Sequence, residues 1–329
     1  MKISQFMREA LFDEKSGYYR TKNPIGKDAD FITAPEISQI FGELIAVYLL
    51  QIFSLKKGKI SLVEMGAGRG VLFYDILQTI KKLAKKNSLA ADFIDSADLH
   101  IIEINDILKV AQQEKLAEFR ISWHQKFEDF SSKNNLPIFF ISNELFDCFP
   151  IDQFVKTDIG WCERLIDSGR FITKNFDPKI DQFVQEIVGR SAPFGAVFEH
   201  SESAQNLMKQ LCESLRNFGG IAINFDYGYF ESELANTLQA VKNNQKVGVL
   251  KDPGNVDISA HVDFGALDKI AKKFDLKTSL ITQREFLLSL GIEERAKNLL
   301  NQNSAIERLV SPSQMGELFK CHIIWKENE

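Results

Sequence analysis

From Ile60 onward, short apolar runs alternate with stretches of helical periodicity, which confines the chain to a mostly parallel sheet covered by helices on both faces. Strands are expected over Ile60–Met65, Leu99–Ile104, Pro137–Ser142 and Ile221–Phe225. Helices are expected over Val71–Leu83 and Asp106–Glu118, and a third over Ser203–Asn217 closes on Gly219-Gly220 before the fourth strand. Lys320–Trp325 is a final strand candidate. The expected fold class is α/β.

A chain of 329 residues, 44% of them hydrophobic, can bury such a core as one large domain carrying insertions. Ile151 to about Phe194 is less regular, with Gln153–Lys156 and Trp161–Ile166 expected as paired short strands. Glu231–Asn255, rich in Asn, Lys and Gly, is expected to be a mobile loop. The division expected is a helical segment over residues 1–58 and a sheet domain over 59–329, with insertions near 151–194 and 231–256. In the first segment Ile3, Phe6, Met7, Ala10 and Leu11 mark one face of a helix. Asp13 to Asp30, with Gly17, Pro24 and Gly26, is expected to be loop. Thr33-Ala34-Pro35-Glu36 fits a capping box that opens a second helix through Ile37, Ile40, Phe41, Leu44 and Ile45.

Several function classes fall away on composition. Acidic residues outnumber basic ones by 45 to 40, a formal net charge of -5, opposite in sign to a binder of phosphate backbones, so no nucleic-acid partner is expected. The apolar run from Leu44 to Leu55 is broken by Gln51 and falls short of the roughly 20 residues a bilayer span needs, so no membrane insertion is expected. Glu9, Asp13 and Glu14 argue against a transit peptide. Cys148, Cys162, Cys212 and Cys321 form no C-x-x-C pair, and His124, His200 and His261 form no ligand-spaced cluster with them. A reducing compartment and no metal are expected.

The first strand runs into Leu62-Val63-Glu64-Met65-Gly66-Ala67-Gly68-Arg69-Gly70, where closely spaced glycines let a ligand approach the backbone. The dinucleotide fingerprint G-x-G-x-x-G needs a glycine at position 71, which is Val71, so a nicotinamide oxidoreductase loses its best support. Glu64, two residues before Gly66, gives instead the E-x-G-x-G form typical of methyltransferases. Arg69 puts a cation in the first turn of a helix, against the macrodipole, and calls for an anion nearby. The carboxylate of S-adenosylmethionine would serve, and so would a protein carboxylate. Glu103, closing the second strand, stands where Rossmann-like sites bind ribose hydroxyls.

Asn143-Glu144-Leu145-Phe146-Asp147 follows the apolar run Ile138–Ile141, at the carboxyl end of the sheet where α/β sites lie. An arginine guanidinium has a pKa above about 12, so methylating it requires carboxylates to orient it and take up a proton. Glu144 and Asp147 are the pair for that work; the plainer alternative makes Glu144 a carboxylate at a helix start. Asp226-Tyr227-Gly228 and Asp257 to Phe264 are placed to line the same cleft. Within the latter His261 is a catalytic candidate, with a structural histidine as its alternative.

Taken in order, Gly17-Tyr18-Tyr19, Asp30 to Gln39, the Glu64 to Gly70 loop, Asn143 to Pro150, Asp226-Tyr227-Gly228, Asp257 to Phe264 and Met315-Gly316-Glu317 resemble the MidA-like proteins over nearly the whole chain. The mitochondrial members of that family are complex I assembly factors and protein-arginine methyltransferases. The resemblance implies a class I methyltransferase (Rossmann-like) fold with S-adenosylmethionine as cofactor. It also implies that the segment from Thr33, with Pro35 and Glu36, covers the cofactor, and that Glu64, Gly66, Gly68 and Glu103 contribute to its site. The chain departs from the family pattern at Ala34, where a Ser is usual, and at Asn243-Asn244, where a Gly-His pair is usual. It looks like a bacterial, cytoplasmic relative whose protein substrate would be a respiratory complex I subunit. An assembly chaperone that binds S-adenosylmethionine without turnover is the alternative from another class.

Overall fold

The computed structural model describes residues 1–22, 32–55, 58–189, 191–297 and 303–326. Pro24, Gly26, Asp30 and Phe31 lie outside the described residues. The first four strands are β1 (Ile60–Met65), β2 (Ala97–Ile102), β3 (Ile121–His124) and β4 (Ile138–Asn143). Four more follow in β5 (Asp152–Lys156), β6 (Trp161–Asp167), β7 (Arg170–Thr173) and β8 (Val197–His200). After the long β9 (Gly220–Tyr229) come β10 (Gln239–Lys242), β11 (Gln245–Val247), β12 (Asp257–Ser259), β13 (Val262–Asp263), β14 (Lys277–Thr282) and β15 (Phe319–Trp325).

The central sheet runs β14-β15-β9-β4-β1-β2-β3, with β13 beside β9. β3, β2, β1, β4 and β9 pair in parallel, whereas β15 is antiparallel to both its neighbours. Alternate residues serve opposite faces, as the pleat requires. Leu62, Phe139 and Ile223 pack with Phe41, Phe53, Phe73 and Phe93 of the helices Gln39–Leu55, Val71–Ala84 and Ser88–Ser96. Val63, Phe140 and Ala222 pack against Phe127, Leu211 and Phe264 on the other side. All parallel strands therefore end along one edge, where the glycine loop, Glu103 and Asn143 emerge.

The sequence expectations differ from the structure at several places. β2 starts two residues earlier than expected and stops at Ile102, which leaves Glu103 beyond the strand. Ser88–Ser96 is a helix capped by Asn87, and β3 and β14 are short strands that carried no clear alternation. Tyr18–Thr21 forms a helical turn inside the expected loop. The capping box at Thr33 does not form: the helix stops after Ala34–Ile37, Ser38 is extended, and Gln39–Leu55 starts afresh. The Glu36 carboxylate pairs with Arg69 instead.

β5 to β8 form a separate sheet in the order β7-β6-β5-β8. The expected mobile loop after Glu231 contains instead a hairpin of β10 and β11, with β12 pairing on the other side of β10. Asn243 and Asn244 have φ of 50° and 59°, the left-handed pair that a tight two-residue hairpin turn demands and that asparagine tolerates. The first helix, Ile3–Phe12, buries the face read from its sequence against Ile166, Ala240, Val256 and Ile258, and so joins these outer strands to the core.

Candidate functional site

β1 ends at Met65, and the chain turns through Gly66, Gly68 and Gly70, with φ of 73°, 52° and 76°. Only glycine adopts these values readily. A Cβ on Gly66 would stand 3.0 Å from the Leu145 side chain. Glu64 is buried, and its carboxylate accepts the backbone N–H of Phe73 in the first turn of the next helix. Its Oε2 has no hydrogen-bond partner among the described residues. Burial first, and then the neighbouring Glu103, push the Glu64 carboxyl up to about 8.

Glu103 accepts the backbone N–H of Asn105 at 2.9 Å and the side-chain amide of Gln112 at 3.0 Å. The same Gln112 amide donates to the Gly68 carbonyl at 2.8 Å, and Gln112 Oε1 accepts from the Trp123 indole at 3.0 Å. Gln112 thus ties the acid after β2 to the glycine loop. Burial pushes the Glu103 carboxyl up to about 7 despite these donors. Arg20 closes the same corner by donating to the Ile104 carbonyl.

Arg69 finds its anion within the protein. Its guanidinium forms a two-point ion pair with Glu36, at 3.0 Å and 2.6 Å. The strip from Thr33 to Glu36 is thereby tied to the glycine loop, and its Thr33 and Pro35 are buried. Thr33, Pro35, Glu36, Glu64, Gly66, Gly68, Arg69, Glu103 and Glu144 all line one cleft, with Phe12 and Tyr19 on its wall. The cleft is open on one side to solvent.

Glu144 follows β4 with φ of 51°, a left-handed value for a residue that has a Cβ. Such strain, of order 1–3 kcal/mol, persists where the surroundings impose it and clusters at functional sites. No helix starts here, so the helix-start alternative fails. The loop is fixed from beneath by Asp226, whose Oδ2 accepts the backbone N–H groups of Phe146 and Asp147 at 2.8 Å and 3.1 Å. The Glu144 carboxyl accepts from the Asn143 side chain at 3.2 Å and from the Ala34 backbone. Burial, then the nearby Asp147, push it up to about 8.

The structure separates the two expected catalytic carboxylates. Asp147 accepts the Tyr227 hydroxyl at 2.5 Å and lines a neighbouring cavity with His261, not the glycine cleft. Burial pushes Asp147 up to about 6 and holds Asp226 well above the usual carboxylate range, with Asp147 adding to the latter. His261 packs edge-on against Tyr227, with ring centroids 5.6 Å apart. Sequence reasoning missed Gln112 and Arg20, which carry no local motif. Tyr19 lay within a noted motif, and its hydroxyl donates to Asp257 at 2.7 Å.

The cleft fits S-adenosylmethionine on its own chemistry. A buried carboxylate oxygen of Glu64 lacks a partner, the loop backbone is bare of Cβ atoms at its glycines, and Glu103 offers an acceptor beyond β2. The profile of a family described as "Putative S-adenosyl-L-methionine-dependent methyltransferase" matches residues 44–282. The chain is 30% identical to the protein arginine methyltransferase NDUFAF7, mitochondrial, of Danio rerio, over 97% of this chain and 82% of that one. With the protein of the same name from Homo sapiens it shares 28% over 96% and 78%. A COG1565 superfamily member from Burkholderia thailandensis, crystallised with S-adenosyl-homocysteine, superposes with a TM-score of 0.83 at 24% identity, covering 99% of this chain and 88% of that one. That likeness establishes the fold.

Proposed function

The chain belongs to this family of S-adenosyl-L-methionine-dependent methyltransferases, and from that premise we propose that it methylates an arginine side chain of a protein. The observation that carries the reading is Glu144, a buried carboxylate on a strained backbone in the cofactor cleft, with no cationic partner among the described residues. A buried acid of this kind is stabilised in its charged form when a cation arrives. A guanidinium matches it with paired donors, and the Phe12 and Tyr19 rings, stacked on one another, lie on the wall of the same cleft.

S-adenosylmethionine, when bound, supplies an electrophilic methyl group on its sulfonium. Glu64, Gly66, Gly68 and Glu103 would hold it, with the Thr33 to Glu36 strip laid across by the Arg69–Glu36 pair. Glu144 orients the guanidinium and favours release of the proton that leaves, since the methylated guanidinium keeps its single charge. Asp226 acts one step back, by fixing the loop that carries Glu144. Asp147 and His261, which line the neighbouring cavity, are assigned no direct contact with the methylated nitrogen. A respiratory complex I subunit is the substrate that the MidA-like resemblance favours.

The test is incubation of the purified protein with methyl-labelled S-adenosylmethionine and lysate from a strain lacking the gene, followed by mass spectrometry of the labelled band. Methylarginine is the expected product. Binding of the cofactor without any transfer would support the chaperone alternative instead.

A further inference from the structure

The helix after β2, Asp106–Lys115, buries two of its residues, Leu108 and Gln112, one helical turn apart on the same face. Leu108 is what a face packed on a sheet calls for; Gln112 is a fully buried amide whose groups must find partners inside the fold. The helix comes close to the glycine loop because Gly70 has no side chain: a Cβ there would stand 3.3 Å from Leu116 and 3.4 Å from Gln112. The Gln112 amide donates to the Gly68 carbonyl at 2.8 Å and to Glu103 at 3.0 Å, and its oxygen accepts the Trp123 indole at 3.0 Å. An indole N–H can only donate, so Trp123 fixes which end of the carboxamide faces Glu103. Burial disfavours charge on the Glu103 carboxyl, and Glu64 on β1 is a like-charged neighbour. The Asn105 N–H, Gln112 and Arg20 favour the charge. From β3 the His124 carbonyl accepts the Glu103 N–H at 2.9 Å, while the His124 ring lies against His100 and is lowered by its own burial.

We propose that Gln112 is a positioning residue for the cofactor: turned by the Trp123 indole, its carboxamide keeps Glu103 ionised as the ribose acceptor and sets the Gly68 carbonyl of the loop at the same time. The inference rests on the reading of Glu103 as the residue that holds the ribose, and adds what keeps that residue in the charged state the role needs. A hydrogen bond donated to a carboxylate favours the ionised form, which accepts from both vicinal hydroxyls. An amide suits the position because it donates to two acceptors at once without adding a charge of its own beside Glu64 and Arg20. Trp123 brings the edge strand β3 into the same array, so the order of that strand bears on how the cofactor is held.

The test is the pH dependence of S-adenosylhomocysteine binding, followed by calorimetry from about pH 6.5 to about pH 9. The proteins compared are the parent, Gln112→Met, Gln112→Leu, Trp123→Phe, Glu103→Ala and the double variant Glu103→Ala/Gln112→Met. Methionine keeps the length of the side chain and removes its donors, so a folded variant is secured if leucine packs badly. Without the Gln112 donor the Glu103 carboxyl moves further above its present value of about 7, and binding must first ionise it. The affinity lost relative to the parent should therefore be about 10-fold or more near pH 6.5, the scale of a hydrogen bond to a charged group, and should narrow by about 5-fold or more near pH 9. Taking the ratio to the parent cancels the titration of Glu64 and of the ligand. Trp123→Phe should give a loss of the same shape and smaller size, and the pH-dependent part should vanish when Gln112→Met is made on Glu103→Ala. A loss that is uniform across the pH range in both Gln112 variants overturns the proposal, as does a pH-dependent loss that persists without Glu103. A parent-like profile in Trp123→Phe overturns the orienting role of the indole. Parent-like affinity in Glu103→Ala overturns the ribose reading and the proposal with it, and that single variant tells this failure from the others.

Discussion

Arg69 and Glu36 meet in a two-point ion pair, Nε to Oε1 at 3.0 Å and Nη2 to Oε2 at 2.6 Å, that fastens the N-terminal strip to the glycine loop. The Arg69 side chain is 38% exposed, so the pair is screened, and exposed pairs contribute roughly 0.2–1 kcal/mol. Arg69→Ala should therefore weaken S-adenosylhomocysteine binding only slightly, by about 5-fold at most. A loss of two orders of magnitude by calorimetry would mean that Arg69 touches the ligand directly.

Gly68→Val should abolish cofactor binding. The residue has φ of 52° in a turn whose carbonyl is held by Gln112, so valine brings both backbone strain and a branched side chain into the cleft. Calorimetry on the variant, with circular dichroism to verify that it is folded, checks this. Parent-like affinity would remove the loop from the site.

Glu103→Ala should weaken cofactor affinity by about 10 to 150-fold, since a carboxylate can accept from two vicinal hydroxyls and alanine cannot. Gln112→Leu offers a graded comparison, because it releases Glu103 and the Gly68 carbonyl together while leaving the acid in place. An unchanged dissociation constant in Glu103→Ala would exclude the ribose role.

Glu144→Gln keeps the shape and loses the charge. Methyl transfer should fall by about 100-fold or more while S-adenosylhomocysteine binding survives. The Glu144 carboxyl is pushed up to about 8, so it is mostly protonated at neutral pH and gains its charge as pH rises. At saturating cofactor, kcat/KM for the acceptor protein should climb through about pH 8, and this limb should vanish in the variant. Normal turnover by Glu144→Gln would exclude the catalytic role.

The ligand-free protein should lose thermal stability as pH rises from about 7 towards 8. Glu64 and Glu144 are held near 8 in the fold, whereas in the unfolded chain they have already ionised at their ordinary values. Over that window the folded state binds more protons, so stability falls until pH passes the folded values. The buried histidines, lowered by burial, act below about pH 6.5 and with the opposite slope. A melting temperature that rises between pH 7 and 8 would count against protonated carboxyls in this cluster.

The sequence by itself determined the alternation of strands and helices and the position of the glycine loop, because apolar periodicity and glycine spacing are local properties. β1 begins and ends at the residues expected from its apolar run, and the Glu144 motif lies where its strand ends, whereas Asp226, expected beyond a strand closing at Phe225, falls inside β9, which runs on to Tyr229. Tertiary structure decided which side chains share a cavity. Glu144 and Asp147 are three positions apart, yet the left-handed turn at Glu144 sends them to different cavities. Thr33 and Glu36 have the spacing of a capping box, but the fold brings Arg69 to Glu36, whose carboxylate is taken up in a two-point ion pair instead. Gln112 carries no signal in the chain at all. Its importance comes from burial, which removes water as an alternative partner and leaves each polar atom dependent on what the fold or a ligand brings to it.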